Sequence, residues 1–118
     1  MTITISTSVP DAATVELPRV GAKQGATSGR PVESLLELYD DGRVQIGIWE
    51  CTPGVFPSRR EGYDEFMQFV SGEGVIIGDD GVEHRLCAGA SVLLRDGWSG
   101  RWEITSTVRK AYTIIRPA

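Results

Sequence analysis

Histidine is almost absent from this sequence, because His84 is the only one among 118 residues. Cysteine is scarce as well, and Cys51 and Cys87 stand far apart rather than in a CxxC pair. Zinc and related transition metals are usually held by three or four ligands in which these two residue types predominate. The sequence therefore lacks a compact Cys/His metal motif. We expect two separate buried thiols without a disulfide, and we expect His84 to be a solvated strand residue.

An excess of positive charge and a long apolar run are also lacking. Sixteen acidic residues against twelve basic ones leave a net charge of −4, so no general field attracts phosphate backbones or anionic lipid. No apolar stretch is long enough to cross a bilayer, and the start of the chain lacks the basic region and apolar block of a signal peptide. We expect a cytoplasmic protein that binds neither nucleic acid nor membrane.

Turn-forming residues are plentiful, with 14 glycines and 6 prolines. Residues 1–30 are rich in Ser, Thr, Ala and Gly, and we interpret them as an N-terminal arm ahead of one domain over residues 31–118. Within the arm, Thr2–Ser6 or Thr14–Leu17 could add an edge strand to a sheet. Only Val32–Leu38 suggests a helical turn. An arm that pairs with the sheet edge of a second copy favours a homodimer.

From Arg43 onward, short alternating stretches are separated by glycine-bearing turns, a pattern typical of an all-β sandwich or barrel. In the first of them, Val44, Ile46 and Ile48 alternate with more polar neighbours. The pattern predicts strands near residues 43–49, 63–70, 75–77, 82–86, 91–95, 101–105 and 108–116, with turns at residues 71–74, 78–81 and 96–97.

Several short motifs fall in the order found in one family. They are Trp49–Gly54, Tyr63–Phe66, Ser71–Gly72, Ala88–Gly89, Gly97–Trp102 and Val108–Tyr112. Together they resemble the small, RmlC-like cupins, and more narrowly the branch that contains ureidoglycine aminohydrolases and ethanolamine-utilisation cupins. The resemblance covers about residues 43–115. It implies a double-stranded β-helix, which is a jelly-roll barrel, with a pocket at one mouth and frequent dimerisation.

The first cupin motif, G(x)5HxH(x)3,4E(x)6G, is only half present. Glu65 and Gly72 match its end, and Gly54 stands near its start. Counted back from Glu65 at the spacing HxHxxxE, the two histidine positions are Arg59 and Glu61. The resemblance thus implies a barrel with an incomplete metal-ligand set.

The second motif, G(x)5PxG(x)2H(x)3N, begins at Gly89 and matches again at Gly97. Its proline position is Arg95 and its histidine position is Gly100. A third metal ligand is therefore missing. We expect no cofactor beyond a weakly bound divalent metal.

Glu65 is the candidate catalytic residue. Period-two geometry places Arg59, Glu61, Tyr63, Glu65 and Met67 on one strand face, and the motif glutamate of cupins faces the barrel interior. We expect burial to raise the pKa of Glu65, which makes it a general acid or base. The alternative is a satisfied internal ion pair with a neighbouring arginine at position 59 or 60 and no chemistry.

The remaining candidates are predicted to bind substrate together with Arg59, Glu61, Tyr63 and Met67. Trp49, Trp98 and Trp102 suggest a pocket wall, and Trp102 is a candidate to fill the space of a metal site, although core packing is the alternative. Lys110 and Tyr112 share a strand face and could bring an ammonium and a phenol to the same mouth. Barrel packing explains that face equally well.

Three functions fit these residues. The first is a cupin that binds a small molecule in the barrel mouth, with metal-independent acid/base chemistry on a small nitrogenous or carboxylate metabolite. The second is a non-enzymatic ligand-sensing or accessory domain. The third is a manganese-type metalloenzyme that uses Glu61 and Glu65 as ligands.

Overall fold

The computed structural model describes residues 7–117, and nine β-strands account for most of this range. They are β1 (Arg19–Ala22), β2 (Ser28–Gly29), β3 (Val32–Asp40), β4 (Val44–Cys51), β5 (Gly54–Arg59), β6 (Asp64–Gly78), β7 (Glu83–Leu86), β8 (Ser91–Leu94) and β9 (Ser99–Ile115). All their pairings are antiparallel. The prediction of an all-β protein is confirmed.

The longest strand, β9, lies at the centre of the sheet. Along one edge, its residues 108–115 pair with β4 and its residues 99–104 pair with β5. Along the other edge, β9 pairs with β6 over nearly its whole length. The short strands β7 and β8 pair with β6 from outside. The long strands β6 and β9 pair with each other, and each also pairs with two shorter strands. A bend in both of them therefore folds the sheet around an interior.

The bend lies at Gly72, where a turn was predicted. Strand β6 does not end at residues 71–74 but continues through them, with register shifts between Phe69 and Gly74. Gly72 has φ of +94°, and a Cβ there would collide with the carbonyl oxygen of Thr107 and lie 2.5 Å from the Cα of Val108. Only glycine fits this conformation and this close approach.

Another local prediction that proved wrong is the helical turn at Val32–Leu38. This segment belongs to β3, which pairs with β4 from Glu33 to Asp40 and with β1 on its other edge. Its seven residues have helical periodicity, but backbone pairing on both edges overrides that weak local preference.

The N-terminal arm packs against its own chain. β1 pairs with β3, so that Arg19 lies opposite Ser34, while Thr14–Leu17 forms no strand. The Nη1 of Arg109 donates hydrogen bonds to the carbonyl oxygens of Ala12 and Val15, at 3.1 and 2.7 Å. Thr2–Ser6 lies outside the described residues, and the boundary at residue 30 stays a prediction.

The interior of the folded sheet is filled by large apolar side chains. The buried cluster consists of Cys51, Phe56, Met67, Phe69, Ile76, Leu86, Val92, Leu94, Trp102, Ile104, Val108 and Tyr112. Burying each of the large ones stabilises the fold by about 1.5–3 kcal/mol. No helix long and apolar enough to span a membrane occurs among residues 7–117.

Candidate functional site: a buried ion cluster in the barrel cavity

A cavity of about 250 Å³ opens from one end of the apolar core. Strands β3 to β6 and β9 form its wall, and Lys23, which follows β1, stands at its rim. Its polar lining consists of Lys23, Glu33, Gln45, Ser58, Arg60, Tyr63, Glu65, Lys110 and Tyr112, and its apolar lining of Leu35, Trp49, Phe56, Trp102 and Ile114.

Glu65 lies in this cavity as a buried carboxylate, with 5% of its surface exposed. Its Oε2 accepts a hydrogen bond of 2.8 Å from the Nζ of Lys110, and its Oε1 lies 3.1 Å from the Nε of Arg60. Desolvation by burial raises the pKa of Glu65, but the positive charges of Lys110 and Arg60 and the hydrogen bond from Lys110 outweigh it, so that the pKa is lowered. The predicted rise in pKa is wrong. The ion pair with Arg60 belongs to the alternative stated above, whereas the contact with Lys110 was not predicted.

Lys110 places its ammonium group among aromatic rings. The Nζ lies 4.5 Å from the ring centre of Trp49, 4.8 Å from that of Trp102 and 5.8 Å from that of Tyr112, distances typical of cation–π contacts. It also donates to the Sδ of Met67 at 3.3 Å. Desolvation lowers the pKa of Lys110, Glu65 opposes this shift, and the positive charge of Arg60 adds to it.

Arg60, rather than Arg59, is the arginine that reaches the interior. Strand β5 ends at Arg59, and the chain bends before β6 begins, so that period two does not extend across residues 59–65. Arg59 and Glu61 are exposed and form a salt bridge of 3.2 Å with each other at the surface. The prediction that they share an inward face with Glu65 is therefore wrong. Arg60 is 6% exposed, and the alternative of an internal ion pair anticipated its contact with Glu65.

Among the described residues, the guanidinium of Arg60 donates hydrogen bonds only through its Nη1. Its Nη1 donates to the Oγ of Ser58 at 2.6 Å. The Nε is close to Glu65 but its N–H does not point along a hydrogen bond, and it has no hydrogen-bond partner among the described residues. The contact with Glu65 is thus ionic, and a buried donor remains unsatisfied.

Two of the three tryptophans lie at the cavity. Trp102 is buried and stacks on Phe56 with 5.9 Å between ring centres. It also lines the cavity, so it both packs in the core and forms part of the pocket wall. The Nε1 of Trp49 donates to the Oε1 of Glu33 at 2.9 Å. Trp98 does not line the cavity; its ring lies instead against Gly78 and Gly100.

The other predicted binding residues are also near Glu65. Tyr63 and Tyr112 line the cavity, and the hydroxyl of Tyr112 accepts a hydrogen bond of 3.2 Å from Gln45. Burial raises the pKa of Tyr112. Met67 is fully buried and does not line the cavity, but its Sδ accepts a hydrogen bond from the Nζ of Lys110, which does. Whether any of these side chains binds substrate stays a prediction.

Arg60 was predicted only as an alternative ion-pair partner of Glu65, and four further polar lining residues were not predicted. They are Lys23, Glu33, Gln45 and Ser58. Gln45 lies on a predicted strand, and Ser58 lies between Gly54 and Glu65 of the first cupin motif. Assigning these two residues to a strand face could have placed them at the cavity. Lys23 and Glu33 carried no such signal, because one lies in the arm and the other in the segment interpreted as helical.

The described residues do not fit the metal centre of the cupin motif. No three His, Cys, Asp or Glu side chains of residues 7–117 converge, and both oxygens of Glu65 face cationic groups. At the motif's third histidine position, a Cβ on Gly100 would collide with the carbonyl oxygen of Ile77 and lie 2.7 Å from the Cζ2 of Trp98. Burial raises the pKa of the Cys51 thiol to about 12, far from a metal-binding thiolate at neutral pH.

The fold is shared with solved structures of related architecture. The EutQ protein of Clostridium difficile is 20% identical, with a TM-score of 0.64 over 73% of this chain and 69% of its own. A putative ethanolamine utilization protein Q from Salmonella typhimurium is 21% identical, with a TM-score of 0.69 over 92% and 85%. These likenesses confirm the predicted jelly-roll barrel.

A protein of unknown function from Pseudomonas syringae is 25% identical, with a TM-score of 0.76. The match covers 88% of this chain but only 46% of that protein. A comparison with curated proteins returned no match. The model of the EutQ-like cupin domain matches residues 38–112, more than half of the chain, and the chain therefore belongs to the EutQ-like cupin family.

Proposed function

We propose that this protein binds a small nitrogenous or carboxylate metabolite in the barrel cavity and acts on it by acid/base chemistry without a metal. The observation that carries the proposal is the buried cluster of Glu65, Lys110 and Arg60 on the cavity wall. Buried ionisable groups with shifted pKa values beside a cavity are typical of functional sites. The cytoplasmic location remains part of the proposal and rests on the sequence.

The charge and size of the cavity limit the range of ligands that it can bind. Two cations and one anion in the buried cluster leave one positive charge without a partner, since the nearby Lys23 and Glu33 balance each other at 3.3 Å. A buried unpaired charge is costly, so an anionic group such as a carboxylate offsets it. A cavity of about 250 Å³ accommodates on the order of ten non-hydrogen atoms.

Glu65 and Lys110 suit opposite halves of a proton transfer. The lowered pKa of Glu65 keeps it ionised near neutral pH, so it is free to accept a proton, as a weaker base than a solvated glutamate. The lowered pKa of Lys110 makes its ammonium a better proton donor than a solvated lysine. A ligand bound over the pair could accept a proton from the Nζ and lose one to the carboxylate.

The second candidate is a cupin that binds ligand without converting it. Both Glu65 oxygens are already engaged by Lys110 and Arg60, which favours a structural role for the carboxylate. The anionic ligand would then contact the cationic groups alone. Binding and turnover must therefore be measured separately.

Isothermal titration calorimetry with small carboxylates, ureido acids and the matching uncharged amides tests this proposal. We expect the carboxylates to bind with dissociation constants below about 1 mM. Arg60→Gln should weaken binding by about 10- to 100-fold, because it removes one charged contact, whereas the exposed Arg59→Gln serves as the matched control. NMR of saturated samples then separates turnover, which Glu65→Gln abolishes, from binding alone.

Two outcomes contradict the proposal. Equal binding of acids and amides excludes the charge argument. Near-stoichiometric manganese, iron or zinc in protein grown with these metals, lost in Glu65→Ala, excludes metal independence.

We also propose a homodimer through an exposed apolar row on the outer sheet face. Across four neighbouring strand pairs, Tyr39, Ile46, Thr113, Phe66 and Leu93 lie opposite one another in that order. The four large apolar members are 37–55% exposed. At about 4.8 Å between strands the row spans about 19 Å. An exposed apolar row of this kind favours a self-complementary interface.

Light scattering coupled to size-exclusion chromatography measures the dimer. We expect wild type to run as a dimer and the double variant Phe66→Asp, Leu93→Asp to run as a monomer, because two buried charges without partners oppose association. Val82→Asp, at an exposed apolar residue outside the row, is the control. If wild type is a monomer at a concentration of about 100 μM, the proposed interface is wrong.

A further inference from the structure

The ammonium group of Lys110 is the centre of an enclosed cation site. We propose that Lys110 is the built-in cation of this cupin: its ammonium neutralises Glu65 inside the barrel, and the pocket formed by Glu65, Trp49, Trp102 and Tyr112 binds a free primary ammonium ion when the lysine side chain is removed. This inference does not depend on which metabolite the cavity binds or on whether it is converted.

The geometry around the Nζ is that of an ammonium receptor. A carboxylate oxygen lies at 2.8 Å and a thioether sulfur at 3.3 Å, so two of the three N–H donors have acceptors. Two indole rings lie within 5 Å. A negative group with flanking aromatic faces is how proteins recognise ammonium ligands, and here the ligand is tethered to β9.

The ion pair of Glu65 and Lys110 lies where the cupin motif places a metal ligand. Glu65 stands at the glutamate position of the first cupin motif, but its Oε2 holds an ammonium, and its Oε1 faces Arg60. No three metal-ligating side chains of the described residues meet there. The positive charge that Glu65 requires in this desolvated place is supplied by the protein itself, so that a chelator cannot remove it.

The register of the strands makes the site rigid. Lys110 lies opposite Trp49 in β4 and opposite Phe69 in β6, so both neighbours of β9 fix its backbone. Lys110 is 5% exposed, and the contacts of its Nζ with Glu65 and Met67 hold the side chain inside the barrel. Truncation to alanine removes three carbons and the amine, which together correspond to propylammonium, and leaves the wall of the pocket in place.

Propylammonium added to Lys110→Ala is the test. We expect the variant to melt below wild type and propylammonium chloride to raise its Tm in a saturable manner, by about 5 °C or more at ten times the dissociation constant. Calorimetry should show one site. Sodium chloride at the same ionic strength, propanol, and wild type with the amine are the controls, and none should give a saturable rise.

Two further variants separate the cation site from simple cavity filling. In the double variant Lys110→Ala, Glu65→Gln, propylammonium should bind at least about tenfold more weakly, because its counter-charge is gone. Lys110→Met fills the space without charge and should not respond to the amine. Equal rescue by propanol and propylammonium would overturn the proposal. So would a Lys110→Ala protein that stays unfolded at saturating amine, or one that takes up a divalent metal but no ammonium.

Discussion

Glu65→Gln should lower the free energy of unfolding by about 3–5 kcal/mol, the range for breaking a buried ion pair from one side. The substitution preserves the shape of the side chain but leaves Lys110 and Arg60, both less than a tenth exposed, without their shared anion. Urea unfolding followed by tryptophan fluorescence measures the change. Glu61→Gln is the matched control, since Glu61 is exposed and pairs only with Arg59, and it should change stability by less than about 0.5 kcal/mol.

The pH dependence of this loss identifies its cause. The pKa of Glu65 in the folded protein lies below its ordinary value of 4.5, so the carboxylate contributes stability that is complete above pH 4.5 and is lost as the pH falls through the folded pKa. The stability gap between wild type and Glu65→Gln should therefore be constant near neutral pH and shrink in acid. A gap that persists unchanged at the lowest pH at which both proteins fold would mean that charge is not responsible.

Gly72→Ala should destabilise the protein by about 3 kcal/mol or more, or prevent folding. A positive φ costs a residue with a Cβ about 1–2 kcal/mol, and the new methyl group would also displace the backbone at Thr107 and Val108. Gly81→Ala is the control, because Gly81 has φ of +85° but no atom within 4 Å of its Cβ position. Thermal and urea unfolding of both variants separate the collision from the dihedral cost. Equal losses would show that the close approach at the bend is unimportant.

The parts of the fold that the sequence predicted depend on short-range patterns. The alternation of Val44, Ile46 and Ile48 identified β4, and the predicted turn at residues 78–81 identified the β6–β7 hairpin, in which Ile77 lies opposite Glu83. Glycine at position 72 was misread because a turn and a sheet bend both require a positive φ. The difference lies in the partner strand β9, which local sequence does not reveal.

In the candidate site, too, features set by local sequence could be predicted and features set by distant residues could not. Glu65 could be placed in the interior from its motif position, and the aromatic and lysine candidates followed from the segments near Trp49, Trp102 and Lys110. The direction of the Glu65 pKa could not be predicted, because its strongest partner is 45 residues away. Strand parity favoured Arg59 for the inward face, and parity fails where β5 ends, so Arg60 was named only in the alternative of an ion pair. Faces deduced from period two hold only within an unbroken strand.

The central position of β9 has a consequence for how the protein is made. Because β4, β5 and β6 all pair with Ser99–Ile115, a nascent chain that has not yet released these residues from the ribosome lacks the partner of three strands. The first hundred residues must therefore wait as partly paired hairpins with exposed apolar edges, a state that invites aggregation. Folding should be slow, as for other β-rich chains dominated by distant pairings, and chaperone binding should be strongest during this interval.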